Sequence, residues 1–475
     1  MSFHTLKLDA FLGIVTDKSE NLLSLDKSPD ACNMDTRGGK LSVAKGFSRI
    51  FTSTLSSGST YYRLLAIEQN GSLCVLACTS QGVYMHNPSD ESWDRLLDLS
   101  QTAITPDGFD FQLAKIGSDE RLLICCPNGH IYKWDFVSSS LTLFGSAAQL
   151  SDSGQNFLSL YYNRLFSAGN SDHPCRLYWS KAPGDGRTIE DWSYDENSPN
   201  VSGGHVEVGT DSDPITGLFA MSNQLVIFKR DSIYRLLGDR PSNFRILPVD
   251  ATLDQPVHTA VVLRGDRLFF LTRAGLCYYD GQTVQHPSYG TALSGLLKGT
   301  DLSTCAASAC GDRLYFAVKE HAQSPYNDVL IELDLTRECF MLKRGFSAVD
   351  LCSCHNKQYL LTKTGSICVM DGSSDYDGSS INAYWTTPLI DLGSKLTQKQ
   401  LIELYAAGNG DIEIDVLADG ATHTSYLSLN AECIRQAKLH GEGRMFRLRI
   451  RNRDGKSFSI DTGAEVLVDL QHRIM

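Results

Sequence analysis

The chain has 475 residues, 42% hydrophobic and 21% charged, a balance that excludes a disordered polypeptide and leaves room for more than one domain. Its net charge of −12 argues against broad non-specific nucleic-acid binding, which needs a basic surface. No stretch approaches ~18 apolar residues and the start, Met1 to Lys7, has no secretory apolar segment, so neither a membrane span nor a signal peptide is expected, and the fourteen cysteines are expected to be mostly free thiols.

Residues 1–40 are polar and broken, with Asp17-Lys18-Ser19-Glu20 and Lys27-Ser28-Pro29-Asp30. They predict an extended N-terminal arm leading to a first strand over 41–51. A repeat then takes over. Its template is the stretch from Gly265 to Gly281, which reads as turn, apolar strand, glycine turn, apolar strand, turn. Aligned on the residue that follows the polar turn, copies begin at Leu73, Leu122, Leu165, Leu225, Leu268, Leu314 and Tyr359. Most spacings lie near the ~40–50 residues of a propeller blade; the long gap from Leu165 to Leu225 holds an insertion rich in Gly, Asp, Ser and Pro. Each anchor opens an unbroken apolar run, the mark of a strand covered on both faces. Inner blade strands meet that condition because neighbouring blades sandwich them. A second strand carrying tyrosine follows most runs, at Tyr84, Tyr132, Tyr234 and Tyr278. The expected fold is all-β: a β-propeller over 41–384, with seven blades as the first choice and six or eight as alternatives. One short helix is expected near Ala292 to Leu297, in a connection.

The last repeat ends in the turn-rich stretch from Asp371 to Ser380. Beyond it strands are predicted over 400–406, 411–417, 425–429, 445–451, 457–460 and 465–470. Ile412, Ile414 and Val416 alternate with Glu413 and Asp415, and Phe446, Leu448 and Ile450 alternate with Arg447, Arg449 and Arg451. Period-two alternation gives one buried and one wet face. A C-terminal β-sandwich over 385–475 is the expected result.

Three sets of residues carry a resemblance. Asn33-Met34-Asp35, Gly38-Gly39-Lys40-Leu41 and Gly46-Phe47 lead into the propeller. Arg164-Leu165-Phe166-Ser167-Ala168-Gly169 pairs with Leu177-Tyr178-Trp179-Ser180 and a downstream Trp192. Trp385-Thr386-Thr387-Pro388-Leu389-Ile390-Asp391-Leu392-Gly393 opens the last module. This pattern resembles bacteriophage virion propellers, and is similar to the packaged-DNA stabilisation or tail-hub accessory proteins of short-tailed phages. The long insertion over 181–214 departs from it. The resemblance implies a non-enzymatic virion component of a head–tail connector or tail hub, present in several copies in a ring. It would be a rigid docking module for other virion proteins, with an N-terminal arm that orders on a partner. The alternative is a phage tail propeller that binds or hydrolyses host glycans, with Trp179, Trp192 and Asp213 as residues that would have to converge. A cellular scaffold of the WD40 type lacks its G-H…W-D signature.

No catalytic constellation is expected, and no cofactor or metal. Asp371, Asp375, Asp377 and Gly378 lack the bidentate Glu of a calcium loop and read as a solvated turn. Cys352, Cys354 and His355 lack a second ligand pair for zinc and read as structural. Gly455-Lys456-Ser457 sits between alternating strands and reads as a hairpin turn rather than a phosphate loop. The one basic run is Arg447, Arg449, Arg451 and Arg453, side chains that share a strand face. It is the candidate partner contact, for an acidic surface or a phosphate, set against the plain alternative of a solvated strand face.

Overall fold

A computed structural model of the chain describes residues 2–55, 58–69, 71–102, 108–145, 155–249, 256 and 258–471. Nine antiparallel sheets form. Seven have four strands, and each packs on the next in chain order, through neighbouring first strands or a shared apolar cluster, with the last blade against the first. This is a closed seven-bladed propeller. Blades 1 to 6 span 61–98, 110–143, 157–207, 215–249, 262–285 and 301–344; blade 7 is built from 348–369 and the detached strand Ser48–Arg49.

The apolar anchors fall on the second strand of every blade, from Ser72–Thr79 in blade 1 to Lys357–Thr362 in blade 7. In blade 4 all six residues of Gln224–Lys229 are buried, because blades 3 and 5 cover both faces of that strand. The insertion after Leu165 is pinned from below. Buried Arg164 donates to the carbonyls of Ser180, Ser202 and Asn200 at 2.6–2.9 Å. The expected helix is one turn, Ser294–Leu297, preceded by a 3-10 turn in the blade 5–6 connection.

The ring closes with residues from both ends of the repeat region. Ser48 and Arg49 pair with Val369 and Cys368, so opening the disc requires stripping this strand from blade 7. Here the backbones come very close. A Cβ on Gly46 would meet the Asp375 carbonyl oxygen at 1.8 Å, so only glycine fits. Phe47 then stacks on Tyr376, ring centroids 5.0 Å apart.

The remaining two sheets make the C-terminal sandwich, and they correct the expected boundaries. Residues 1–40 are not a separate arm. Ser2–Leu8 pairs with Ser459–Gln471 over seven residues, Asp30–Cys32 pairs with Tyr384–Thr386, and Met34–Asp35 pairs with Leu41–Val43, which in turn adds to the Ser459–Gln471 strand. The expected strand over 41–51 therefore splits: its first part belongs to the sandwich and its second to blade 7. The physical reason is edge satisfaction. The sandwich strands at 384–386 and 459–471 have open sides, and the N-terminal strands supply the missing backbone partners while burying Leu6, Leu8, Ala31, Met34 and Leu41. Two further corrections concern the sandwich itself. Strands expected at 457–460 and 465–470 are one continuous strand, Ser459–Gln471, and a further strand, Arg435–Gly443, lies where the sequence predicts none. One apolar core runs without a break from blades 5 to 7 into the sandwich. Residues 472–475 of the expected sandwich lie outside the described residues.

Candidate functional site

Arg447, Arg449 and Arg451 point to one side of the strand Phe446–Asn452, whose other side is buried; Arg453 follows in the turn. All four are ion-paired within the chain. Arg447 meets Glu20 at 2.7 Å. Arg449 meets Asp30 at 2.9 Å, donates to Thr386 and lies 4.7 Å from the Tyr384 ring. Tyr384 itself donates to Asp30. Arg451 bridges Asp415 at 2.9 Å and Glu413. Arg453 reaches Asp454 at 3.8 Å and lies over Tyr426. Half-exposed pairs of this kind add roughly 0–1 kcal/mol each. Their clearer effect is orientation, since Arg447 and Arg449 clasp acids of the N-terminal segment. The face that remains outward is charge-balanced rather than basic. Sequence periodicity located the face; Glu20 and Asp30, which engage Arg447 and Arg449, lie 427 and 419 residues away along the chain and left no local signal.

A charged cluster near the axis had no sequence signature. Arg63 of blade 1 lies 3.1 Å from Asp350 of blade 7, which also accepts the Leu64 amide at 2.8 Å. Asp110 of blade 2 accepts the Leu158 amide of blade 3 at 2.8 Å and lies 3.1 Å from His258, just ahead of blade 5. Phe219 stacks on the His258 ring. Each acid sits at the start of a first strand and ties its blade to the next. Burial pushes the Asp110 carboxyl up, but His258, Arg63 and the Leu158 amide more than offset this and hold it below the usual carboxylate range.

A group depressed in the fold contributes stability above its unfolded pKa, about 3.9, and loses that contribution as pH falls through the folded value. Asp110→Asn is therefore expected to lower stability at pH 7. The gap to the parent protein should shrink from about pH 4 downward, as denaturant unfolding at pH 7 and pH 3 would measure.

The other sequence candidates separate in space. Trp192 is buried in the blade 2–3 core and Trp179 packs on Phe244 between blades 3 and 4. Asp213 accepts the Asp231 amide and the Ser232 hydroxyl. They do not converge. Asp371 and Asp377 bind Ser48 and Arg49 of the closing strand, while Asp375 accepts the Gly378 amide. Cys352 is half-buried and burial pushes its thiol up, and His355 turns away to Glu68. Among the described residues no three metal-ligating side chains gather, all fourteen cysteines are free, and no helix is long and apolar enough to cross a membrane.

No protein family model and no curated protein matches the chain. Among solved structures it is similar to BamB from Moraxella catarrhalis, at 10% identity and a TM-score of 0.40 over 78% of this chain and 97% of that one. It is also similar to the extracellular domain of a putative hybrid two-component system from B. thetaiotaomicron, at 12% identity and 0.44 over 80% of this chain and 47% of that one. A chain of the mitotic checkpoint complex matches at 12% identity and 0.41, over 68% of this chain and 92% of that one.

Proposed function

We propose that the chain is a structural, non-enzymatic component of a phage virion, a docking module of the head–tail connector or tail hub. The observation that carries this reading is the double passage of the chain between its two parts. The N-terminal strands lie in the sandwich, the chain crosses to close blade 7, and after the propeller it returns to the sandwich. Disc and sandwich thus share one core and offer their surfaces at a fixed angle, as an adaptor between two partners requires. Two of the three motif sets that resemble virion propellers fall on this weld, since Asn33, Gly46-Phe47 and Trp385 lie where the chain crosses; the third, with Arg164 and Trp179, lies in blade 3. The strand Ser2–Leu8 adds a free edge, paired on one side only among the described residues, to which a neighbouring strand can add.

Tagged protein made during particle assembly is expected to co-purify with finished particles, in several copies at one vertex, as mass spectrometry and cryo-electron microscopy would read. Infectious particles that lack it overturn the reading.

A further inference from the structure

The disc face on which the first strands begin carries a cavity of about 250 Å³ between blades 6, 7 and 1. Its walls come from the first strands of those blades, from Lys319 at the end of the second strand of blade 6, from Thr259 ahead of blade 5, and from two turns, one in blade 6 with Tyr326 and Asn327 and one in blade 7 with Lys363. Three properties of this cavity point to one ligand chemistry.

The first is charge. Asp350, on the wall, is already engaged by Arg63 and the Leu64 amide. Lys319 lies 3.5 Å from Asp301. Lys363 has no carboxylate within ion-pair distance among the described residues; its ammonium lies 5.1 Å from the centre of the Tyr326 ring. The site therefore holds a cation without an anion, and a compact ammonium is a good point-charge partner for a carboxylate or phosphate.

The second is the aromatic wall. Tyr326 is 43% exposed, a large ring left in solvent at the mouth of a concave site, and Tyr61 and Tyr62 line the opposite blade. A ring face of this kind takes the C–H face of a saturated ring.

The third is preorganisation. Asn327 is buried and locked: it accepts from the Thr304 hydroxyl at 2.8 Å and donates to the Thr304 carbonyl at 2.7 Å. The wall it anchors carries Ser303 and Thr304 hydroxyls. Mostly apolar walls with a few fixed polar groups are the usual build of a small-molecule site.

We propose that this cavity binds an anionic sugar, with the hydroxylated ring on Tyr326 and the negative group at Lys363. It makes no use of the assembly role and stands or falls separately. The negative group has two chemical sources, a uronic acid or a sugar phosphate. Titration calorimetry of the full chain with glucuronate, glucose 1-phosphate and glucose separates them.

Saturable binding of one anionic sugar, with glucose at least about tenfold weaker, is the expected result. Lys363→Gln should weaken that binding by about tenfold and remove most of its salt dependence. Tyr326→Ala should weaken it for charged and neutral sugars alike. Both side chains lie at the surface, so folding is not at stake. No saturable binding of either anion, binding equal to that of glucose, or an unchanged affinity in Lys363→Gln each overturns the proposal.

Discussion

Removing residues 1–43 is expected to unfold the C-terminal sandwich, not to trim a tail. Four strands leave with the segment. So do the buried side chains of Leu6, Leu8, Phe11, Ile14, Ala31, Met34 and Leu41; each Leu, Ile, Phe or Met among them contributes roughly 1.5–3 kcal/mol when fully buried. The strand Ser459–Gln471 would keep one neighbour, Gln398–Asn409, and Tyr384–Thr386 would keep only Phe446–Asn452. Arg447 and Arg449 would lose Glu20 and Asp30. The propeller retains Ser48–Arg49 and with it the closure of blade 7. Limited proteolysis followed by mass spectrometry should therefore cut the truncated chain throughout 384–471 while sparing the second strands of the blades. The exposed edges should also make it aggregate. A truncated chain with a protease-resistant sandwich would show that the N-terminal strands only decorate it.

The contrast between this result and the arm expected from the sequence has a physical cause. Blade strands are legible because each is covered on two faces by its neighbours, so burial writes a continuous apolar run such as Leu314–Val318 into a few consecutive residues. The N-terminal strands are covered on one face only, and their burial pattern is diluted: in Ser2–Leu8 only Leu6 and Leu8 point inward. Their partners are as far away as the pair Thr5 and Leu467, a separation at which no periodicity carries information. The missed strand Arg435–Gly443 has the same character, with Ala437 and Leu439 as its main inward residues. Alternation placed Arg447, Arg449 and Arg451 on one face, but whether a charged face is free or paired depends on groups that arrive from another part of the chain. The axial acids and the cavity between blades 6, 7 and 1 belong to the same class. Arg63 and Asp350 are unremarkable in their own segments, and only ring closure brings them within 3.1 Å.

Asn33 tests the weld at a single side chain. It is buried, with a φ of 54°, a conformation that asparagine tolerates better than other branched or bulky residues. Its amide group makes all four bonds available to it. The nitrogen donates to the Arg344 carbonyl at 3.0 Å and the Asn382 carbonyl at 2.7 Å. The oxygen accepts the Arg344 amide at 2.9 Å and the Tyr376 hydroxyl at 2.8 Å. One residue thus joins the N-terminal segment to the outer strand of blade 6, to the turn after blade 7 and to the linker into the sandwich. Asn33→Leu keeps the volume and removes every bond, leaving the buried Tyr376 hydroxyl and three part-buried backbone groups short of a partner, each costing about 1–3 kcal/mol where water cannot replace it. Strain at positive φ adds to this. A loss on the order of 4 kcal/mol is expected, seen as a lower midpoint of the first thermal transition. Asn33→Gly should be about 1 kcal/mol less damaging than Asn33→Ala, because glycine accepts the backbone angle although it too lacks the amide. If Asn33→Leu leaves the midpoint unchanged, the four bonds do not hold disc and sandwich together. The shared apolar core would then be sufficient for a rigid body, and the conformation of Asn33 would be a consequence of the crossing rather than one of its causes.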